Sequence, residues 1–118
     1  MKIECPDSKY YFNLIFKADQ NIVAIVEPVY KIDLESMNPK PGCIGTITFR
    51  DVNDMRTGVI AHESLHLATT YMRIVLKKIP ELGSEIDIVE EDLATFTQHF
   101  ATSLGNIYWR LRGSDNIN

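Results

Sequence analysis

The chain changes character near Asp51, and that change limits its fold more than any other feature. Residues 55–78 contain no proline and only one glycine, Gly58, while Val59, Ile60, Leu67, Ile74 and Val75 recur at helical intervals. This predicts one long helix that ends before Pro80. A second helix is predicted to follow. Ser84 with Asp87 three positions on resembles a capping box, and Ile86, Val89, Leu93, Phe96, Phe100, Leu104 and Ile107 repeat every three or four residues. Gly113 is the expected stop, Arg110 and Arg112 suit the negative end of the helix dipole, and residues 114–118 read as frayed.

The residues before Asp51 are β-like. Residues 9–17 (KYYFNLIFK) are aromatic and apolar between polar ends, which predicts a strand buried largely on both faces. Residues 21–26 (NIVAIV) are rich in β-branched side chains, yet Asp19 as N-cap and Pro28 as terminator frame a helix of about two turns, and we read them as that helix. Residues 29–34 and 45–50 read as strands joined by a connection holding Asn38, Pro39, Pro41 and Gly42. In the second, Thr46, Thr48 and Arg50 alternate with Ile47 and Phe49, as in a strand with one wet face. The expected fold is a single α+β domain over residues 1–118, with a small N-terminal mixed or antiparallel sheet and two long packed C-terminal helices.

A chain of 118 residues buries enough apolar surface to fold without disulfide staples, so any metal would serve a site rather than hold the fold together. Cys5 and Cys43 stand outside any C-x-x-C pair, which suits a reducing cytoplasmic setting. The net charge of -4 and the lack of a basic run argue against nucleic acid as a partner. No apolar stretch is long enough to span a membrane, and no signal-peptide order is seen at the N-terminus.

The informative stretch is GVIAHESLHLA, which places His62, Glu63 and His66 as H-E-x-x-H on the first predicted helix. Residues four apart lie one turn above each other, so the two imidazoles can converge on one ion with Glu63 rotated to the side. Zinc held by two imidazoles and a third protein ligand keeps a position open for water, lowers the pKa of that water, and leaves the neighbouring carboxylate to take its proton. Val59, Ile60, Leu65 and Leu67 give the motif a semi-buried setting. The third ligand must come from elsewhere, because residues 69–79 hold neither His nor a carboxylate. Glu90 and Glu91, at the head of EEDLATF, are the candidates, although acidic residues early in a helix also serve its macrodipole.

H-E-x-x-H followed by E-x-x-A on a second helix resembles the gluzincin class of zinc metallopeptidases, and the short length is similar to minimal single-domain gluzincins and small phage-encoded proteins of this type. The resemblance covers about residues 43–100 and is most specific over residues 59–68. It implies a zincin-like fold and hydrolysis of peptide bonds in a peptide or protein substrate, with His62, His66 and Glu91 on Zn, Glu63 as general base and Glu90 supporting the site from outside the ligand set. It also implies that substrate lies as an added strand on a sheet edge, for which Gly45, Thr46, Ile47, Thr48 and Phe49 are the candidate; the same alternation fits any half-exposed strand. The chain departs from larger gluzincins in lacking an identifiable downstream Tyr or His to stabilise an oxyanion. His99 is read as structural and Tyr71 as a core residue. The alternative function is a catalytically silent zinc-binding adaptor or phage accessory protein, which has no need of a base at Glu63.

Overall fold

Four strands come first in the computed structural model, which describes residues 1–78 and 86–116. They are β1 (Lys2–Glu4), β2 (Tyr10–Phe16), β3 (Ala24–Pro28) and β4 (Gly42–Phe49), and they form one sheet in the order β1-β2-β4-β3. β1 pairs antiparallel with β2, β2 parallel with β4, and β3 antiparallel with β4, so the sheet is mixed. A short 3-10 turn, Val52–Asp54, is capped by the Asp51 carboxylate, which accepts the Val52 amide. It leads into α1 (Thr57–Ile74), and α2 (Ile86–Asn116) follows. The α+β architecture with two long helices is the one the patterning predicts.

Both helices cover one face of the sheet. Phe12 of β2 meets Phe100 of α2 edge-on with ring centroids 5.6 Å apart, and α1 lies over β3 and β4. Phe12, Phe49, Phe100, Ile47, Leu67 and Leu104 are wholly buried between the layers. Each such side chain contributes about 1.5–3 kcal/mol over its exposed state. Tyr71 is also in this core, against Phe96 at 5.2 Å and Phe100 at 6.3 Å.

Several local expectations give way to long-range pairing. Residues 21–26 do not form a helix; Ala24–Pro28 is the strand β3, because pairing with β4 satisfies its backbone and suits Ile25 and Val26. Residues 29–34 are not a strand. They belong to the connection between β3 and β4, which forms an isolated bridge from Ile32 to Pro39 and a hydrogen bond to β4, from the Val29 amide to the Ile44 carbonyl. β2 is buried at Tyr10, Phe12 and Leu14 but exposed at Ile15 and Phe16, so it presents one buried face rather than two. In β4, Ile47 and Phe49 are fully buried as expected, yet Thr48 on the opposite face is only 8% exposed, with Gln20 donating to its carbonyl at 3.3 Å. α2 continues through Gly113 to Asn116; Gly42 is the only glycine at positive φ among the described residues, so no left-handed cap stops the helix at Gly113. The expected cap at Ser84 lies outside the described residues.

Candidate metal centre

α1 is an 18-residue helix without a break, so residues 62 and 66 share a face by construction. The His62 and His66 rings stand 4.8 Å apart, and their Nε2 atoms approach to 3.1 Å. Two nitrogens bound tetrahedrally to one zinc at about 2.0–2.1 Å are separated by about 3.3 Å, so the pair already has nearly the spacing of two ligands on one ion. Both imidazoles are exposed and accessible to an incoming ion.

Glu63 has the opposite environment. Its side chain is 7% exposed against 69% for His62, and its Oε1 lies 4.0 Å from His62 Nε2. The carboxylate lines a cleft of about 390 Å³ whose other walls are Gly58, Val59 and His62 of α1, and Ile22, Val23 and Ala24 leading into β3. The arrangement sets a nearly buried proton acceptor beside, and off, the axis of two convergent imidazoles.

The third ligand named by sequence is not brought to this pair. Glu90 and Glu91 are exposed on α2, and among the described residues no third His, Cys, Asp or Glu clusters with His62 and His66. The helices run antiparallel, with Tyr71 set between Phe96 and Phe100 while Ile60 and Ala61 face Ala101 and Gly105. The level of His66 on α2 thus falls about seven to twelve residues beyond Glu91, or about 10–18 Å along the axis. Lys78 holds the start of α2 at the far end of α1 through a 2.8 Å ion pair with Asp92. Apolar periodicity shows that two helices pack, but their relative register is set by the aromatic contacts and is not written in either helix alone.

The expected substrate edge is also corrected. Gly45, Thr46, Ile47, Thr48 and Phe49 lie in β4, which is paired on both sides by β2 and β3 and offers no free row of backbone groups. Gly45 is packed so closely that an added Cβ would lie 2.7 Å from the Glu27 carbonyl oxygen and 3.0 Å from the Phe12 ring. The free edge beside the cleft is β3. The Val23 carbonyl and the Val29 amide bond back to β4, so by the two-residue period Ala24 and Val26 turn their N–H and C=O groups outward. Pro28 ends that donor row. The run of Ile22, Val23, Ile25 and Val26 was the sequence signal for this edge.

The remaining candidates are structural. His99 Nε2 lies 2.8 Å from the Glu4 carbonyl oxygen and its ring meets Phe100 at 5.2 Å, tying α2 to β1. Cys5 is buried, and Cys43 Sγ donates to the Gly45 carbonyl at 3.2 Å, so neither thiol joins the imidazoles. No family model, curated protein or solved structure matches the chain, so the functional reading stands on this arrangement alone.

Proposed function

We propose that the protein is a metal-dependent hydrolase of peptide bonds, zincin-like in plan, with His62 and His66 as metal ligands and Glu63 as general base. The observation that carries this reading is the near-buried Glu63 carboxylate beside two Nε2 atoms at ligand spacing, in a cleft bordered by a free strand edge. Zinc is the ion that matches two imidazoles, and it would supply the Lewis acidity that makes water nucleophilic near neutral pH. His62 and His66 would hold the ion through Nε2. Glu63 does not ligate; its carboxylate accepts the proton released by the attacking water and carries it toward the leaving amine. Ala24 and Val26 bind the substrate backbone by adding it as a strand to β3, which holds the scissile bond against the cleft.

A second reading is a metal-binding adaptor without turnover, favoured by the helix register that keeps Glu91 far from the imidazoles. Glu63→Gln decides between them. The amide keeps size and helix propensity but cannot accept the proton, so the variant should retain metal by elemental analysis while cleavage of a mixed peptide library, read by mass spectrometry, falls by a factor on the order of a hundred or more. Equal cleavage by the variant and the wild type rejects the general base. No cleavage by zinc-loaded wild type across the library selects the adaptor.

A further inference from the structure

β3 and α1 run in the same direction, so the strand edge that starts beside His62 passes a second cleft further along the helix. This one, of about 480 Å³, is walled by Val26 and Pro28 of β3, by Ile32 and Met37 of the connection to β4, and by Thr70, Arg73 and Ile74 in the last turns of α1, with Lys77 just beyond the helix. Among the described residues Arg73 and Lys77 are its only charged lining, on a chain whose net charge is -4. Among the described residues neither forms an ion pair; Lys77 Nζ only reaches the Met37 carbonyl oxygen at 3.5 Å. Asp33 is turned into its own loop, accepting the Glu35 amide. The apolar wall of the cleft is itself open, with Tyr30 and Ile32 41% and Met37 61% exposed. Isolated exposed apolar residues mean little, but a contiguous patch around a cleft marks a contact surface.

Ten residues of helix separate Glu63 from Arg73, about 15 Å, and an extended peptide covers that span in four to five residues at about 3.3 Å each. A guest strand pairs somewhat better antiparallel than parallel, and an antiparallel guest on β3 runs from the Arg73 end toward His62. We propose that this second cleft is a recognition subsite for the same peptide, taking an apolar side chain flanked by carboxylates about four to five residues before the bond held at Glu63. The assignment rests on the peptidase reading for the bond that is cut, but binding at the subsite does not. The apolar side chain enters between Val26, Ile32 and the adaptable Met37, and the flanking carboxylates meet Arg73 and Lys77.

The test is fluorescence anisotropy with a labelled extended peptide carrying Glu-Leu-Glu near its amino end, against a counterpart carrying Lys-Leu-Lys. Wild type should bind the acidic peptide at least about tenfold more tightly, and Arg73→Glu with Lys77→Glu should reverse the preference. Arg73→Gln, a milder change, should bind with intermediate affinity. A double variant with a native circular dichroism spectrum that still prefers the acidic peptide overturns the subsite, as does a wild type with no preference. Cleavage measured in parallel separates the two readings. Acidic preference without cleavage leaves the subsite and removes the peptidase, and cleavage without acidic preference does the reverse.

Discussion

One residue of helical rotation separates His62, whose side chain is 69% exposed, from Glu63, at 7%. That contrast suits the two roles, since a ligand must be reached by an ion whereas a base gains from a site where water is scarce. Burial acts with opposite consequence on Cys5, whose thiol is pushed up from 9.0 to about 12, first by desolvation and then by the nearby Asp7 carboxylate and Cys43. A thiolate there is disfavoured, which makes Cys5 a poor metal ligand and nucleophile at neutral pH. The same shift links to stability. The unfolded thiol ionises near 9 while the folded one holds its proton to about 12, so the folded state binds more protons in that window and loses stability as pH rises through it. Tyr71, raised above 10.0 mainly by desolvation, acts in the same direction. Urea midpoints taken from pH 8 to 11 should therefore fall for the wild type and fall less for Cys5→Ala; parallel declines would show that Cys5 does not carry the effect.

Strand β4 is the element on which the sheet depends, because β2 pairs with it from Gly42 to Phe49 and β3 from Gly45 to Phe49. Gly45 is the point of closest approach, and Gly45→Ala forces a methyl group against the Glu27 carbonyl and the Phe12 ring. The cost should be about 1–3 kcal/mol, read as a lower denaturant midpoint. Gly58→Ala, in α1 with nothing near its added Cβ, should be neutral or slightly stabilising. A Gly45→Ala midpoint no lower than that of Gly58→Ala would mean that β3 and β2 sit further from β4 than the contacts imply. The same strand shows what sequence can and cannot convey. The helices were legible because Leu67, Phe96, Phe100 and Leu104 spell out a 3.6-residue period that depends only on local geometry. So were the imidazoles, since a spacing of four fixes their approach in any helix. β3 was misread because Asp19 and Pro28 imitate helix punctuation, and only β4 supplies the competing hydrogen bonds. The substrate edge was misplaced for a related reason: Thr and Ile alternation marks a strand's faces but says nothing of who sits at its sides.

At the scale of the molecule, one sheet face carries both helices and the antiparallel helix register fixes which parts of α2 can meet the imidazoles. Tyr71 against Phe96 and Phe100 sets that register, and the Lys78 to Asp92 ion pair closes it at the end where Glu90 and Glu91 stand. For either carboxylate to reach His66, α2 would have to slide by about two to three turns, which unpacks the Tyr71 contacts and takes Phe100 away from Phe12. Losing a buried aromatic contact set of this kind costs about 3–5 kcal/mol, more than one carboxylate ligand on an exposed ion readily returns. The expected behaviour is that one zinc binds per chain through His62 and His66 with α2 in place. Zinc at about a hundred times its dissociation constant adds about 2.7 kcal/mol and should raise Tm on the order of ten degrees for a domain of this size. His62→Ala should abolish that rise, whereas Glu91→Ala and Glu90→Ala should keep most of it, with Tyr71→Phe as a control for the packing. Should Glu91→Ala instead lose the rise as completely as His62→Ala, Glu91 is the third ligand and the metal-loaded protein holds its helices in a different register. Near-ultraviolet circular dichroism of the Tyr71, Phe96 and Phe100 cluster would then change on adding zinc to the wild type but not to Glu91→Ala, and an unchanged spectrum in both would confine the ion to the two imidazoles of α1.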